Sequence, residues 1–287
     1  MKLGLSLAGG GVKGFSHVGA IKALEEANIK FDYISGTSSG SIVATLYACG
    51  YTTDEIYDIF KKYVNEIKYV DMENICKFLK NIFTGKGIKI DGLNSGKKIK
   101  KLVNKVCAEK GISDIKQTKR PLLLPAVNVC SEELYVFSNN IIEPKNSEIK
   151  YINSVDIGTA VQASCSYPGI FSPCQYNDKF LVDGGIAENL PWRETKRAGA
   201  DKVLSIVFTD KVPKKCCDSL FEVIDKSFSI LLKELSKYEW DGTDYLLKIK
   251  EPKVGLLAKK RIRELYDEGY YQTKAKIKDI KSNLMIL

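Results

Sequence analysis

The sequence predicts an α/β protein, a three-layer α/β/α sandwich whose central sheet is mostly parallel and carries helices on both faces. Three observations lead there. Near its start the chain alternates twice between a short apolar run and a helical pattern, over 2–28 and 33–49. Each change of period is made by a glycine-bearing turn, at 9–14 and at 36–40. The chain has 287 residues, 44% hydrophobic and 28% charged, the balance of a globular protein with a large core.

Lys2 to Ala8 reads as a buried strand. Its apolar start resembles a signal peptide, but it runs into a glycine loop with no small-residue cleavage site, so a first strand is expected. Gly9-Gly10-Gly11-Val12-Lys13-Gly14 follows, then a helix from Phe15 to Asn28 with Val18, Ile21 and Leu24 on its apolar face. A glycine loop entering a helix offers open backbone N–H groups at a positive helix end, which suits a phosphate or an oxyanion equally. Gly9, Gly11 and Gly14 also satisfy Gly-x-Gly-x-x-Gly. A dinucleotide site would want an acid at the end of the second strand; Asp32 stands at about the right distance but begins that strand. A plain structural turn is the third reading.

Tyr33 to Ser35 is the second strand, and Ser41 to Cys49 continues as helix. Between them Gly36-Thr37-Ser38-Ser39-Gly40 fits Gly-x-Ser-x-Gly, the strained strand-to-helix elbow that presents a nucleophilic serine. Only Ser38 has glycine at both −2 and +2. By itself the pattern also describes an ordinary Ser/Gly turn before a helix.

Thr52 and Glu55 make a capping box. Ile56, Phe60, Tyr63 and Ile67 then form a helical stripe through residue 68. Asn74 to Phe83 is apolar and punctuated by lysine, and Gly85-Lys86-Gly87 breaks it. Asn94 to Cys107 is a lysine-rich helix with Leu102, Val103 and Val106 apolar. From Asn74 to Arg120 there are 13 Lys and Arg against Asp91, Glu109 and Asp114, a local charge of +10 within a chain whose total is +9. A solvated lysine face explains this, as does a patch facing anionic lipid. Nucleic acid is not expected, because no recognised binding motif accompanies the charge.

Pro121 to Val129 and Leu134 to Ser138 read as strands paired through Ser131-Glu132-Glu133. Val155 to Cys165 is helical, and 166–173 is an apolar loop with two prolines. Lys179 to Val182 is a short strand running into Asp183-Gly184-Gly185, which alone would be just a turn. Val203 to Phe208 is a further strand. Ser219 to Trp240 is an amphipathic helix with a stripe through Leu220, Ile224, Phe228, Leu231 and Leu235. Asp244 to Lys250 is a last strand, and Ile262 to Leu284 is a closing helix.

Eight cysteines without Cys-x-x-Cys spacing are expected to be free thiols in a reducing compartment, and no zinc site is expected. No run is long enough to cross a membrane as a helix. These readings place the protein in the cytoplasm or at the periphery of a membrane. A Ser-His-Asp triad would have to use the single histidine, His17.

The ordered set Gly-Gly-Gly-Val-Lys-Gly (9–14), Gly-Thr-Ser-Ser-Gly (36–40), Ala-Ser-Cys-Ser-Tyr-Pro-Gly-Ile-Phe-Ser-Pro (163–173) and Leu-Val-Asp-Gly-Gly with Asn-Leu-Pro downstream (181–191) resembles the patatin-like phospholipase family. The resemblance covers about 3–210. It implies a catalytic domain over 1–210, with 74–120 as a basic cap or lid-like insertion, and a mainly helical C-terminal extension over 211–287 packed on the same domain. It also implies a Ser-Asp dyad, with Ser38 as nucleophile and Asp183 as general base. The lone histidine agrees, and His17 is expected to be a structural neighbour of the glycine loop. Oxyanion donors are expected from Gly10 and Gly11, with Ser39 N–H as a third. Gly9, Gly14, Gly36, Gly40, Gly184 and Gly185 support the motifs. Lys13 would anchor the loop or meet a phosphate, and Tyr167, Ile170 and Phe171 are candidates for the wall of an acyl channel. The activity implied is a lipid acyl hydrolase of phospholipase A, lysophospholipase or esterase type, needing no metal or cofactor. An acyltransferase with the same acyl-enzyme and a membrane-binding module without activity are the alternatives. The partners implied are the lipid substrate and an anionic membrane surface met by 74–120.

Overall fold

In the computed structural model, residues 1–63, 94–140, 142, 149–210, 220–252 and 261–286 are described. The predicted stretch 74–83, the break at 85–87 and the end of the helical stripe at Ile67 lie outside them.

Among the described residues nine strands form one sheet. They are β1 (Leu3–Leu7), β2 (Tyr33–Gly36), β3 (Leu122–Asn128), β4 (Leu134–Ser138), β5 (Ile149–Ile152), β6 (Cys174–Tyr176), β7 (Lys179–Asp183), β8 (Lys202–Asp210) and β9 (Tyr245–Glu251). Along the sheet the order is β5-β4-β3-β2-β1-β8-β9, with β7 on β3 and β6 on β7. The pairs β1–β2, β1–β8, β2–β3, β8–β9 and β4–β5 are parallel. The pairs β3–β4, β3–β7 and β6–β7 are antiparallel. The sheet is therefore mostly parallel, as its near-continuous apolar strands predict, since helices cover both faces of such a sheet.

The described helices are α1 (Gly14–Glu26), α2 (Ser39–Ala48), α3 (Thr53–Tyr63), α4 (Lys97–Glu109), α5 (Ile157–Ser164), α6 (Trp192–Arg197), α7 (Leu220–Glu239), α8 (Ile262–Lys274) and α9 (Ile277–Leu284). The main core lies on one face, where Leu3, Leu5 and Leu7 of β1 meet Val18, Ile21 and Leu24 of α1 and side chains of α2, α4 and α5. A smaller cluster on the other face gathers Tyr33, Leu123, Val136 and Val203 with Ala198 just past α6. Helix α6 lies so close that a Cβ on Gly4 would fall 2.4 Å from Thr195 Cγ2.

The capping box forms as expected. Glu55 Oε2 accepts from Thr52 N–H at 2.7 Å, and Thr52 Oγ1 accepts from Glu55 N–H at 3.2 Å. Helix α4 buries Ile99, Val103, Val106 and Cys107 and turns Lys97, Lys98, Lys101 and Lys105 to solvent. The C-terminal extension adds an edge strand, β9, and packs α8 on α1. That crossing is very close: a Cβ on Gly19 would sit 2.0 Å from Tyr266 O, and one on Gly269 2.0 Å from Ser16 O.

Two expectations need correction. The closing helix is two helices, broken at Ala275–Lys276. The change of direction brings Ile280 and Leu284 of α9 back into the main core. The stripe predicted on α7 does not face the core where its side chains are described: Leu231 is 66% and Leu235 39% exposed. Among the described side chains of that helix Ser236 and Glu239 are the buried ones, and they anchor it by hydrogen bonds instead. Three short elements were not anticipated: β5, β6 and α6. Among the described residues, no helix is long and apolar enough to cross a membrane.

Candidate active site

Strand β3 changes neighbours along one edge. Its first part pairs with β2, Ile34 with Leu122 and Ser35 with Leu123. Its last part pairs with β7, Ala126 with Asp183 through Asn128 with Leu181. The ends of β2 and β7 therefore meet head to head, with only Leu124 and Pro125 between their registers. Gly36-Thr37-Ser38 leaves one end and Asp183-Gly184 the other. This juxtaposition joins two motifs that lie 145 positions apart (183 minus 38).

At the first end, Ser38 has φ 53° and ψ −124°, a conformation that L residues rarely adopt. The flanking glycines make it attainable. A Cβ on Gly36 would lie 2.4 Å from Gly40 O, and one on Gly40 2.4 Å from Leu7 O. Hydrogen bonds on both sides hold the strain in place. Ser38 N–H donates to Ser164 O at 3.1 Å. The Ser38 carbonyl accepts from Ser41 Oγ at 2.6 Å and from the Cys165 thiol at 3.1 Å. Thr37 Oγ1 donates to Glu188 O at 2.9 Å, tying the elbow to the loop beyond Asp183.

At the second end, Asp183 is buried, with 2% exposure. Its Oδ1 accepts from Gly185 N–H at 2.8 Å. Its Oδ2 is buried with no formed hydrogen bond. Burial pushes the carboxyl pKa up to about 7, against the lowering effects of the Gly185 N–H and the Ser38 hydroxyl. The Ser38 hydroxyl therefore lies close enough to favour the ionised carboxylate. Asp183 N–H donates to Ser166 O at 3.0 Å. Consecutive residues 164–166 consequently hold both Ser38 and Asp183.

The glycine loop completes the site. Gly9 N–H donates to Asn189, to Oδ1 at 3.1 Å and to the main-chain carbonyl at 3.4 Å. Gly9 is close to the elbow, since a Cβ there would lie 3.0 Å from Ser38 Cβ. The N–H groups of Gly10 and Gly11 donate to no other described residue. Gly14 opens α1 and Ser39 opens α2, and a Cβ on Gly14 would be 2.9 Å from Ser39 Cβ. Two positive helix ends therefore converge here.

His17 is kept out of this chemistry. It is fully buried, and burial lowers its pKa to about 4. The neutral ring donates from Nε2 to Ala8 O at 2.8 Å and packs on Phe208 with centroids 4.4 Å apart. Because a carbonyl can only accept, Nε2 carries the proton and Nδ1 is left buried without a partner. Lys13 is buried too, in the turn that leads into α1. Tyr167 and Ile170 are half-buried against the main core and Phe171 is buried in it. Asn94 pins their loop, its N–H donating to Ile170 O at 2.9 Å. Among the described residues, no hydrogen bond joins those three to Ser38 or Asp183.

Sequence reasoning missed Ser164, Cys165, Ser166 and Asn189 as holders of the site. The signal was present, because 163–173 and Asn-Leu-Pro belong to the recognised motifs. Their roles pass through main-chain contacts that residue types do not announce. The five described cysteines Cys49, Cys107, Cys130, Cys165 and Cys174 are free thiols.

Comparison with known proteins leads to the family that the sequence motifs resemble. The patatin-like phospholipase family model matches residues 5–196. Lysophospholipase NTE1 of Candida glabrata is 31% identical over 222 residues, 76% of this chain and 11% of that protein. The Saccharomyces cerevisiae lysophospholipase NTE1 is 29% identical over 222 residues, again 76% of this chain and 12% of that protein. The chain thus spans only a small part of the length of these relatives. Among solved structures, the ExoU–SpcU complex from the Pseudomonas aeruginosa type III secretion system matches with TM-score 0.54 at 15% identity, covering 97% of this chain and 51% of that one. Human GIVD cytosolic phospholipase A2 matches with TM-score 0.50 at 12% identity, covering 99% and 59%. At such identities the structural matches speak to the fold.

Proposed function

Since the chain belongs to the patatin-like phospholipase family, we propose that it is a lipid acyl hydrolase that cleaves the carboxylic ester of phospholipids or lysophospholipids through Ser38 and Asp183. The observation that carries this reading is the convergence of a strained serine and a buried, elevated carboxylate at the junction of β2 and β7. Lysophospholipids are a natural first substrate to test, given the names of the relatives.

Ser38 Oγ attacks the ester carbonyl as its proton passes to Asp183 Oδ2, the oxygen without a formed hydrogen bond. An ordinary aspartate is a weak base toward a hydroxyl. Burial strengthens this one, and its pKa near 7 suits proton transfer at neutral pH. The negative charge that develops on the carbonyl oxygen is met by the N–H groups of Gly10 and Gly11, with Ser39 N–H as a third donor. Asp183 returns the proton to the leaving alcohol, and an acyl-Ser38 ester remains. In the second half Asp183 takes a proton from water, water attacks the acyl carbonyl, and the fatty acid leaves as Ser38 recovers its proton. Lys13, buried beside the glycine loop, anchors that loop in this reading. Tyr167 and Ile170 remain candidates for the acyl wall, while the burial of Phe171 in the core argues for a packing role. The lysine face of α4 would draw the protein to an anionic surface by charge.

The test is labelling with a fluorophosphonate probe, with the modified peptide mapped by mass spectrometry, alongside fatty-acid release from lysophosphatidylcholine. Ser38 alone should be modified, and Ser38→Ala and Asp183→Ala should abolish release. Labelling elsewhere, or release that survives Ser38→Ala, would remove the proposal.

A further inference from the structure

Helix α7 is built the wrong way round for a core helix. Five of its described large apolar side chains point outward, Val223 (46% exposed), Ile230 (52%), Leu231 (66%), Leu235 (39%) and Tyr238 (77%), while Leu232 is half-buried. At 100° per residue the five share one arc of the helix. Lys226, Lys233 and Lys237 follow one edge of that arc, so the exposed face is apolar with a cationic border. Glu234, within the arc, has its carboxylate neutralised by Lys237 at 2.7 Å. The opposite side carries the half-buried Leu232 and is fastened through polar groups. Ser236 Oγ accepts from Asn189 Nδ2 at 3.3 Å, and the Glu239 carboxylate accepts from Asn189 N–H at 2.9 Å and Leu190 N–H at 3.2 Å. Asn189 in turn holds Gly9 of the candidate oxyanion loop. The last turn of α7 is therefore one residue away from the candidate site.

We infer that the outer face of α7 is a docking surface for an anionic phospholipid bilayer, its apolar side chains entering the interface and its lysine row meeting the headgroup charge. Apolar side chains with a basic border are the composition of helices that lie in a membrane interface. The α4 face differs in kind: its lysines are outside and its apolar residues inside, so it attracts charge but has nothing to insert. The choice of a lipid occupant rests on the charge complementarity of Lys226 and Lys233, Lys237 being paired with Glu234, and on the hydrolase reading above, which brings the site to a lipid surface.

The experiment is flotation of the full chain with vesicles of phosphatidylcholine and phosphatidylglycerol, with hydrolysis of a soluble p-nitrophenyl ester measured in parallel. The double variant Ile230→Asp, Leu231→Asp should lose vesicle binding by roughly tenfold or more, because two inserting side chains become charged. Val129→Asp, an equally exposed apolar position at the end of β3, should bind like the unmodified chain. Soluble ester hydrolysis should be unchanged in both. Wild-type flotation should be stronger with phosphatidylglycerol present than with phosphatidylcholine alone. Unchanged flotation of the double variant overturns the inference, as does equal binding to the two lipid compositions. A change from dimer to monomer by sedimentation, with vesicle binding intact, would assign the face to a second copy instead. Absent ester hydrolysis with normal, α7-dependent flotation would defeat the hydrolase reading and leave the docking surface standing.

Discussion

The Cys165 thiol donates to the main-chain carbonyl of Ser38 at 3.1 Å. Ser164 accepts from Ser38 N–H, and Ser166 accepts from Asp183 N–H. The turn after α5 thus sets the distance between the two groups proposed to react. Cys165→Ala leaves Ser41 Oγ as the single described side-chain donor to that carbonyl. We expect kcat on a soluble ester to fall by roughly 3–10-fold with KM little changed, since a loosened geometry costs the transition state more than binding. Cys165→Ser should recover most of the loss, because a hydroxyl can make the same donation.

Ser38 stores backbone strain that glycine would not. With φ at 53°, Ser38→Gly relieves a conformation costing on the order of 1–3 kcal/mol, partly offset by the greater freedom of glycine in the unfolded chain. The variant should be inactive yet melt roughly 2–4 °C higher than the unmodified protein. A lower melting temperature in calorimetry would show that the serine hydroxyl contributes more than the strain costs.

Asp183 couples activity and stability to pH in opposite directions. As a base it must be ionised, so ester hydrolysis should rise with pH through about 7 and then level off. For stability the sign is reversed. The folded pKa is raised above the unfolded value of 3.8, so between these limits the folded state holds the extra proton. Its contribution is fully present below about 3.8 and is lost as pH rises through about 7. Asp183→Asn keeps an acceptor for Gly185 N–H without the charge. It should be inactive but more stable than the unmodified chain at pH 8, by roughly 2–4 kcal/mol, with the gap closing toward pH 4. Denaturant melts at the two pH values measure this directly.

The lysine face of α4 gives a salt-sensitive prediction. Lys97, Lys98 and Lys101 are exposed, whereas Lys100 lies 3.6 Å from Asp156 and already has a partner. Reversing the three exposed charges to Glu should reduce binding to anionic vesicles and its dependence on ionic strength, since screened surface charge supplies this attraction. Binding with the same salt dependence in the reversed variant would leave the face as a solvated helix surface.

The order of strands and helices through Asp210 was legible because its signals are local. Buried parallel strands read as unbroken apolar runs, glycine turns punctuate them, and a capping box marked the start of α3. Short elements escaped. Strand β5 is a four-residue edge strand, β6 a three-residue strand, and α6 barely more than one turn, each too brief for periodicity to register. The amphipathic pattern of α7 was also legible, but periodicity reports that a helix has an apolar side and not what covers it.

The sequence by itself determined the candidates only as an ordered set: a serine between two spaced glycines and an aspartate before two glycines, each a plain turn when read alone, became a Ser-Asp pair through the resemblance to the patatin-like family, with the single histidine, His17, in agreement. The order of the four motifs along the chain singled them out, and no distant contact was needed for that. Only the tertiary structure decided that Ser38 and Asp183 meet, because the meeting depends on β3 exchanging β2 for β7 along one edge. It also decided that His17 is neutral and occupied with Ala8, that Asn189 joins the glycine loop to α7, and that Val223, Ile230, Leu231, Leu235 and Tyr238 of α7 face outward. These are facts of burial and long-range pairing. They arise from which surfaces the folded chain brings together, and no local pattern of residues encodes them.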